Sequence, residues 1–312
     1  MKRIIRPSVV TLLGVAATTF LAGYLGNVWW FFDLFSHFRF QYIAGFAGLL
    51  ILLVILRMPK MAVVCSIALV VSSASVLRYF LPNQQRCDTK SLTLLSYNVL
   101  TSNQEKQRVL DLIRASRADV IALYEVDSAW AEALREIEDE YPYAVYSPRE
   151  DNFGIALLAR ENLVEAKVEI IGPTEVPSMM VESKVGGLSF LMFCTHPIPP
   201  MGGRNSQERD QQLKEIAERV ASSGRKDVIV AGDLNASPWS AAMRPLFQAG
   251  LRDARLGHGI SPTWSTDKLW ISIPIDHVLI GDALHATEAK ILDASGSDHS
   301  PVLVTFCRKA TD

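Results

Sequence analysis

Three uncharged apolar stretches crowd the first 80 residues, and nothing else in the chain limits its fold so strongly. Residues 7–32 carry no charge, and residues 40–56 and 61–77 are 17 uncharged residues each. At about 1.5 Å per helical residue, 17 residues reach roughly 25 Å, slightly short of a hydrocarbon core. Arg57, Lys60 and Arg78 flank these stretches and can snorkel to close the gap. The pattern predicts about three transmembrane helices, near residues 8–29, 40–57 and 61–80, in a membrane domain over 1–81. A signal peptide followed by core helices fits less well. The first stretch exceeds the usual apolar core of a signal peptide and lacks a small-x-small cleavage site.

Charge gives the expected orientation. Lys2, Arg3 and Arg6 precede the first stretch, and Arg57 and Lys60 lie in the turn between the second and third. Both clusters belong on the cytoplasmic side. Trp29, Trp30, Phe31 and Phe32 read as an aromatic belt at the opposite interface. An odd number of spans then carries the rest of the chain out of the cytoplasm, against which Arg78, Arg86 and Lys90 argue weakly. Residues 1–85 hold seven Lys/Arg and one acid, Asp33, of chain totals of 31 and 33, leaving 24 basic and 32 acidic residues beyond. An acidic body lowers the expectation of nucleic acid as a partner, since a non-specific binder needs a basic face.

Residues 82–91 are polar, start at Pro82 and read as a linker to a domain over 92–312. Strand and helix patterns alternate at first: a strand at 92–97, a helix at 104–115, a strand at 119–124, and a helix that Ser128 can cap. Strands joined by short turns follow, at 143–147, 154–158, 164–171, 179–185 and 188–195. An amphipathic helix at 207–221, a buried strand at 228–231, a short helix at 239–249 and strands at 275–280, 285–292 and 302–306 complete the chain. This order fits two helix-covered β halves better than a doubly wound parallel sheet. Cys87 opens the domain and Cys307 closes it, so they pair as a disulfide in an oxidising compartment or stay as two free thiols. Cys65 and Cys194 fall in apolar segments, and no cysteine pair has zinc-like spacing.

Polar signatures stand at the ends of the apolar strands. They are Ser96-Tyr97-Asn98, Leu123-Tyr124-Glu125, Thr195-His196, Gly232-Asp233-Leu234-Asn235, Ile275-Asp276-His277 and Ser297-Asp298-His299-Ser300-Pro301. A carboxylate such as Glu125, emerging from a buried strand, suits an oxygen-loving divalent cation, although a salt bridge or helix cap uses the same residue. Asn98 can bind metal or phosphate oxygen, or simply form a turn. Asp233 and Asn235, two apart in extended chain, face one way, as proton acceptor and amide donor for water and a phosphoryl oxygen. An Asx-turn is the bland alternative. An unperturbed imidazole titrates near neutrality, so His299 is a candidate general base, with Asp276 as the carboxylate orienting its second nitrogen. Asp298 is placed to face a metal, His196 to donate to phosphate, and His277 to serve structure.

Together these signatures resemble the endonuclease/exonuclease/phosphatase superfamily, which includes DNase I-like nucleases, apurinic-site endonucleases, neutral sphingomyelinases and inositol polyphosphate 5-phosphatases. The resemblance covers residues 91–308. It implies an α/β fold, a four-layer α/β sandwich of two facing sheets flanked by helices, and a Mg²⁺- or Mn²⁺-dependent phosphoester hydrolase. It implies that Glu125, Asn98 and Asp298 serve the metal, and that Asp233, Asn235, His196, Asp276 and His299 serve catalysis. Arg209 and Gln212 look like an Arg/Gln pair common in the family, or form a solvated helix face. Tyr124 stands where many nucleases have Gln, and Leu100 where some carry a second acid. The apolar stretches resemble those of a bacterial membrane-anchored subgroup, which implies a multi-pass protein of the inner (cell) membrane with a periplasmic catalytic domain. The expected partners are the membrane and a phosphoester substrate, lipid-linked or small. A nuclease acting outside the cytoplasm is the second reading, and a non-catalytic membrane binding module the third.

Overall fold

The computed structural model describes residues 2–83, 85–87 and 91–310, with side chains from residue 5 onward. The expected linker at 82–91 therefore lies partly outside the described residues.

Four helices open the chain: α1 (Lys2–Ala22), α2 (Trp30–Leu34), α3 (Arg39–Ile55) and α4 (Pro59–Leu77). Leu13, Phe20, Phe46, Leu53 and Cys65 pack between them, while Leu12, Val15, Ile51, Val54, Ile67 and Val70 stay exposed. Helices apolar on the outside as well as the inside have no aqueous face. Two segments, Ile5–Leu25 and Pro59–Leu77, are long and apolar enough to cross a membrane. A third candidate exists only if Trp30–His37 and Arg39–Ile55 form one span, bent by 67°. The expected span at 40–57 corresponds to α3, whose 17 residues fall just short alone. Arg57, in the left-handed region at φ 54°, turns the chain from α3 into α4. Arg6 Nη2 donates to Leu56 O at 2.8 Å, so the start of α1 meets the end of α3. Residues 23–38 and the end of α4 thus share the opposite pole.

The remainder alternates as β1 (Leu92–Asn98), α5 (Lys106–Ser116), β2 (Val120–Tyr124), α6 (Ser128–Leu134), β3 (Tyr143–Ser147), β4 (Ile155–Ala159), β5 (Glu165–Ile170), β6 (Pro177–Val185), β7 (Leu188–Thr195), α7 (Gly203–Ser222), β8 (Val228–Asp233), α8 (Arg244–Gln248), β9 (Arg252–Asp253), β10 (Asp276–Ile280), β11 (Leu284–Ile291) and β12 (Val302–Arg308). Two six-stranded sheets form, in the orders β11-β12-β1-β2-β4-β3 and β5-β6-β7-β8-β10-β9. Alternate residues of facing strands make the central core: Leu94, Ala122, Leu157 and Val304 against Met179, Met192, Ile229 and Val278. Val109, Leu110 and Ile113 of α5 cover the outer face of the first sheet with Trp130, and Leu213, Ile216 and Val220 of α7 cover the second. The four-layer sandwich expected from the sequence is the observed architecture.

Some expectations shift. Asp127 caps α6, its carboxylate accepting from Trp130 N at 2.7 Å, while the Ser128 hydroxyl donates to Glu150. The two halves are not contiguous, because β11 and β12 return to the first sheet and pair with β1. That return brings Cys307 beside Cys87, and they form a disulfide with Cα atoms 5.7 Å apart. Cys65 and Cys194 are buried free thiols.

Two strand pairs are parallel, β1 with β2 across α5 and β7 with β8 across α7. Parallel pairing puts the carboxyl ends of those four strands on one edge of the sandwich. Their antiparallel neighbours β10 and β12 enter from that edge, so every polar signature arrives there.

Candidate active site

Asn98 ends β1, Glu125 follows β2, His196 follows β7 and Asp233 ends β8. Asp276 opens β10 directly opposite Asp233 in register, and His299 lies just before β12. Local backbone supports this display. Gly232 is required by close approach, since a Cβ there would stand 1.9 Å from Thr195 O of the adjacent strand. Glu125 and Asn235 hold left-handed φ values of 62° and 49°, which cost free energy in a non-glycine residue and recur where function fixes a side chain.

The side chains meet in one network. Asn98 Nδ2 donates to Glu125 Oε1 at 2.9 Å and to Asp233 Oδ2 at 3.1 Å. Thr101 N donates to Glu125 Oε2 at 3.3 Å. His299 Nδ1 donates to Asp276 Oδ2 at 3.0 Å, while its Nε2 stands 3.6 Å from Asp233 Oδ2. His196 Nε2 reaches the same oxygen at 3.3 Å. Asn235 N donates to Asp233 Oδ1 at 3.0 Å, and its amide donates to Pro197 O. The Asx-turn forms, and Asn235 is left-handed rather than extended, its amide engaged by the main chain; Asp233 and Asn235 nonetheless line one cavity. The sequence-chosen residues Glu125, Asp233, Asp276, His196, Asn98 and His299 are all buried and joined through Asp233.

Electrostatics follow from this geometry. Burial disfavours charge on His299, but Asp276 and Asp233 outweigh it and push its pKa up to about 10. His196 is likewise raised, Asp233 overcoming the cost of burial. Burial would raise the Asp233 carboxyl, yet the two imidazoles hold it well below the usual carboxylate range. At neutral pH the centre is an ionised Asp233 beside a charged His299 ring, with His196 shifted toward its charged form.

Asp233, Asp276 and His299 offer ligand atoms within 4.8 Å of one another. Their contacts, however, are those of an oriented imidazole, Nδ1 donating to Asp276 and Nε2 within ion-pair range of Asp233. A second set suits a hard cation better. Glu125 and Asp298 line one cavity of about 700 Å³ together with Asp233, and Asp298 Oδ1 is buried with no hydrogen-bond partner among the described residues. An unspent buried carboxylate oxygen that lines the same cavity as Glu125 is the kind of ligand that Mg²⁺ or Mn²⁺ takes.

Sequence reasoning missed several contributors. Trp264 Nε1 donates to Asp298 Oδ2 at 2.9 Å, Thr263 Oγ1 accepts from Asp276 N at 3.1 Å, and Phe153 packs on His196. None has a local signature. Arg209 and Gln212 are buried rather than solvated. Arg209 Nη1 donates to Asn235 O at 2.8 Å, and Gln212 Nε2 donates to Thr195 Oγ1 at 2.9 Å, so both brace site loops. His277 is structural: its Nε2 donates to Ala236 O, and Arg255 donates to its Nδ1.

The N-terminal helices complete the wall. Asp33 accepts from Arg209 Nη2 at 3.2 Å, from the Ser240 hydroxyl at 2.6 Å and from Ala241 N at 2.7 Å. His37 Nδ1 accepts from Ser237 N, and Gln41 donates to Ser272 O. Leu34, His37 and Phe38 line the same cavity as Asp233 and His299. One signal pointed here. Asp33 is the sole acid among the first 85 residues, and an acid in an apolar segment needs a reason.

Comparison with known proteins agrees with this construction. The search of curated proteins found no match. Among solved structures, an endonuclease/exonuclease/phosphatase from Beutenbergia cavernae superposes with a TM-score of 0.58 at 20% identity, covering 71% of this chain and 72% of its own. D. rerio TDP2 complexed with a single-strand DNA product gives 0.57 at 18%, covering 70% and 99%. The human Nocturnin catalytic domain with bound sulfate gives 0.57 at 19%, covering 72% and 97%. These likenesses share the sandwich fold. The sequence model of the Endonuclease/Exonuclease/phosphatase family matches residues 95–299, from β1 to His299. The chain belongs to the endonuclease/exonuclease/phosphatase family.

Proposed function

We propose that this protein is a membrane-anchored, divalent-cation-dependent phosphoester hydrolase. The observation that carries the reading is the junction at Asp233: Asn98, His196 and His299 all reach one carboxylate, with Glu125 and Asp276 one bond further out. The family name itself joins nucleases and phosphatases, both of which cleave phosphoester bonds.

Asp233, ionised at every ordinary pH, accepts a hydrogen bond from the attacking water and takes its proton as the new P–O bond forms. The His299 imidazolium, fixed by Asp276, donates to a phosphoryl oxygen, where negative charge grows in the transition state. His196 donates beside it. Asp233 and His299 are close enough to serve one face of the phosphorus, and in-line displacement breaks the P–O bond on the other, the leaving oxygen departing as an alkoxide that takes a proton from solvent water. A Mg²⁺ or Mn²⁺ ion held by Glu125, Asp298 and Asn98 would neutralise charge on the phosphoryl and leaving oxygens.

Lipid-anchored or small phosphoesters are favoured over nucleic acid. Residues 86–312 carry 32 acids against 24 bases, and Leu34, His37 and Phe38 narrow the cleft that a duplex would have to enter. The helices that suit a membrane stand on that same side. The DNA complex of TDP2 keeps a nuclease as the second reading. The test uses the full chain in nanodiscs with bis(p-nitrophenyl) phosphate, phosphatidic acid, and single- and double-stranded DNA. Turnover that EDTA abolishes and Mg²⁺ or Mn²⁺ restores is expected. Turnover indifferent to EDTA refutes the cation, and preference for DNA with a steep salt dependence supports the nuclease.

A further inference from the structure

The catalytic cleft has one wall that the sandwich does not supply. Between α1 and α3 the chain runs through Trp29 to Phe38, and the stretch Trp30–His37 meets α3 at a bend of 67°. Three side chains of this segment, Leu34, His37 and Phe38, line the cavity that holds Asp233 and His299. Phe153, Met201 and Ile273 of the sandwich line the same cavity. Its volume, about 700 Å³, exceeds what a phosphoryl group and its water need. Carboxylates, amides and imidazoles converge at one end, and the remainder is mostly apolar.

His37 gives this wall a polar purpose. It is 4% exposed, and its Nδ1 accepts a hydrogen bond from Ser237 N at 3.1 Å. An imidazole that accepts at Nδ1 is neutral and carries its proton on Nε2. That Nε2–H is buried and has no partner among the described residues. Buried donors are nearly always satisfied, so an unspent one beside a catalytic cavity marks a place for a ligand acceptor.

The surroundings state where the ligand comes from. Trp29 and Phe31 are exposed on this segment, Met201 stands 79% exposed after β7, and Leu269 and Trp270 are 81% and 75% exposed just before Ile273. Large apolar side chains of two separate units are thus bare near the segment that walls the cleft. Tryptophan at such positions is the usual mark of a bilayer interface.

We infer that the segment Trp29–Phe38 is the substrate-recognition wall of this site, and that the substrate is an amphipathic phosphoester drawn from the bilayer. Its phosphate occupies the Asp233–His299–His196 end, an oxygen of its head group accepts from His37 Nε2–H, and its hydrocarbon lies against Leu34 and Phe38. This rests on the phosphoester hydrolase reading above. It also makes the site incomplete without the N-terminal helices.

The experiment compares ethyl and dodecyl p-nitrophenyl phosphate, which share one leaving group and differ only in tail. The full chain is assayed in nanodiscs with Mg²⁺. Each buried methylene is worth roughly fourfold, so the dodecyl ester is expected to exceed the ethyl ester in kcat/KM by about 100-fold or more. Phe38→Asp should shrink that ratio to within about threefold of one. His37→Phe should lower kcat/KM for the dodecyl ester about tenfold or more, and His37→Gln, which keeps a donor, should recover most of it. Equal turnover of both esters overturns the inference and leaves the hydrolase standing. Unchanged kcat/KM in a folded His37→Phe protein removes His37 from recognition. Cleavage of neither ester contradicts the hydrolase reading and this inference with it. Should the variants fail to fold, the tail dependence of the unaltered protein still decides.

Discussion

His299 lies between two carboxylates, and its protonation governs the response to pH. Asp276 and Asp233 raise its pKa to about 10, and the proposed mechanism uses the charged ring. Activity should therefore persist through neutral pH and fall as pH rises through about 10. Asp276→Asn removes the first of the two supporting charges, so the falling limb should move to lower pH as kcat drops. A pH–rate profile of the two proteins checks this; a limb that stays in place contradicts it. The same raised pKa is a stability statement. The contribution of this ion cluster is complete below the ordinary histidine pKa of 6.5 and is lost as pH rises through about 10. Gly232 makes a simpler prediction. A methyl group there meets Thr195 O of β7, so Gly232→Ala should destabilise the fold by about 3 kcal/mol or more, read as a fall in Tm.

The elements show what could be read in advance and why. The strands that carry Asn98, Glu125, Asp233 and His299 were legible, because buried β-branched runs stop at polar residues and local chemistry marks the stop. Asp276 was legible only as the partner His299 needs. What joins these strands into two interleaved sheets is long-range pairing, which leaves no local periodicity; β11 and β12 joining β1 is the example. The docking of the first helices on the sandwich was not legible for another reason. An apolar helix reads as lipid-facing whatever else it touches, and only Asp33 hinted otherwise. Asp33 binds Arg209, and Arg209 holds Asn235 O, so a residue from the helical unit positions the catalytic loop. Asp33→Ala removes one of the two carboxylates on the buried Arg209 guanidinium, Asp210 keeping the other, and leaves the Ser240 hydroxyl and Ala241 N without their acceptor, which costs about 1–3 kcal/mol. We expect lower Tm and a larger loss in kcat than in KM, with Asp33→Glu recovering part of both. Unaltered kcat and Tm would show that the sandwich positions Asn235 unaided.

At the scale of the molecule, two units share one active site. The apolar helices end on the side where Asp33, His37, Gln41 and Tyr79 bond the sandwich, Tyr79 O accepting from Gly257 N and Gly259 N. The basic residues of the chain start and of the α3–α4 turn lie at the other pole. On the membrane-anchored reading proposed above, the basic residues mark the cytoplasmic pole, and the Cys87–Cys307 disulfide suits an oxidising compartment at the other. A topology reporter fused after Asp312 should accordingly be active outside the cytoplasm, and activity inside would reverse the orientation. The central claim is that residues distant in sequence act as one phosphoester-cleaving centre. It is tested most directly by Asp233→Asn, His299→Ala and the double variant, assayed with Mg²⁺ on bis(p-nitrophenyl) phosphate after circular dichroism confirms the fold. Each single change should lower kcat by roughly 10²–10⁴, and the double variant should be little worse than the more damaged single one. Turnover that survives intact in all three folded proteins would contradict the account.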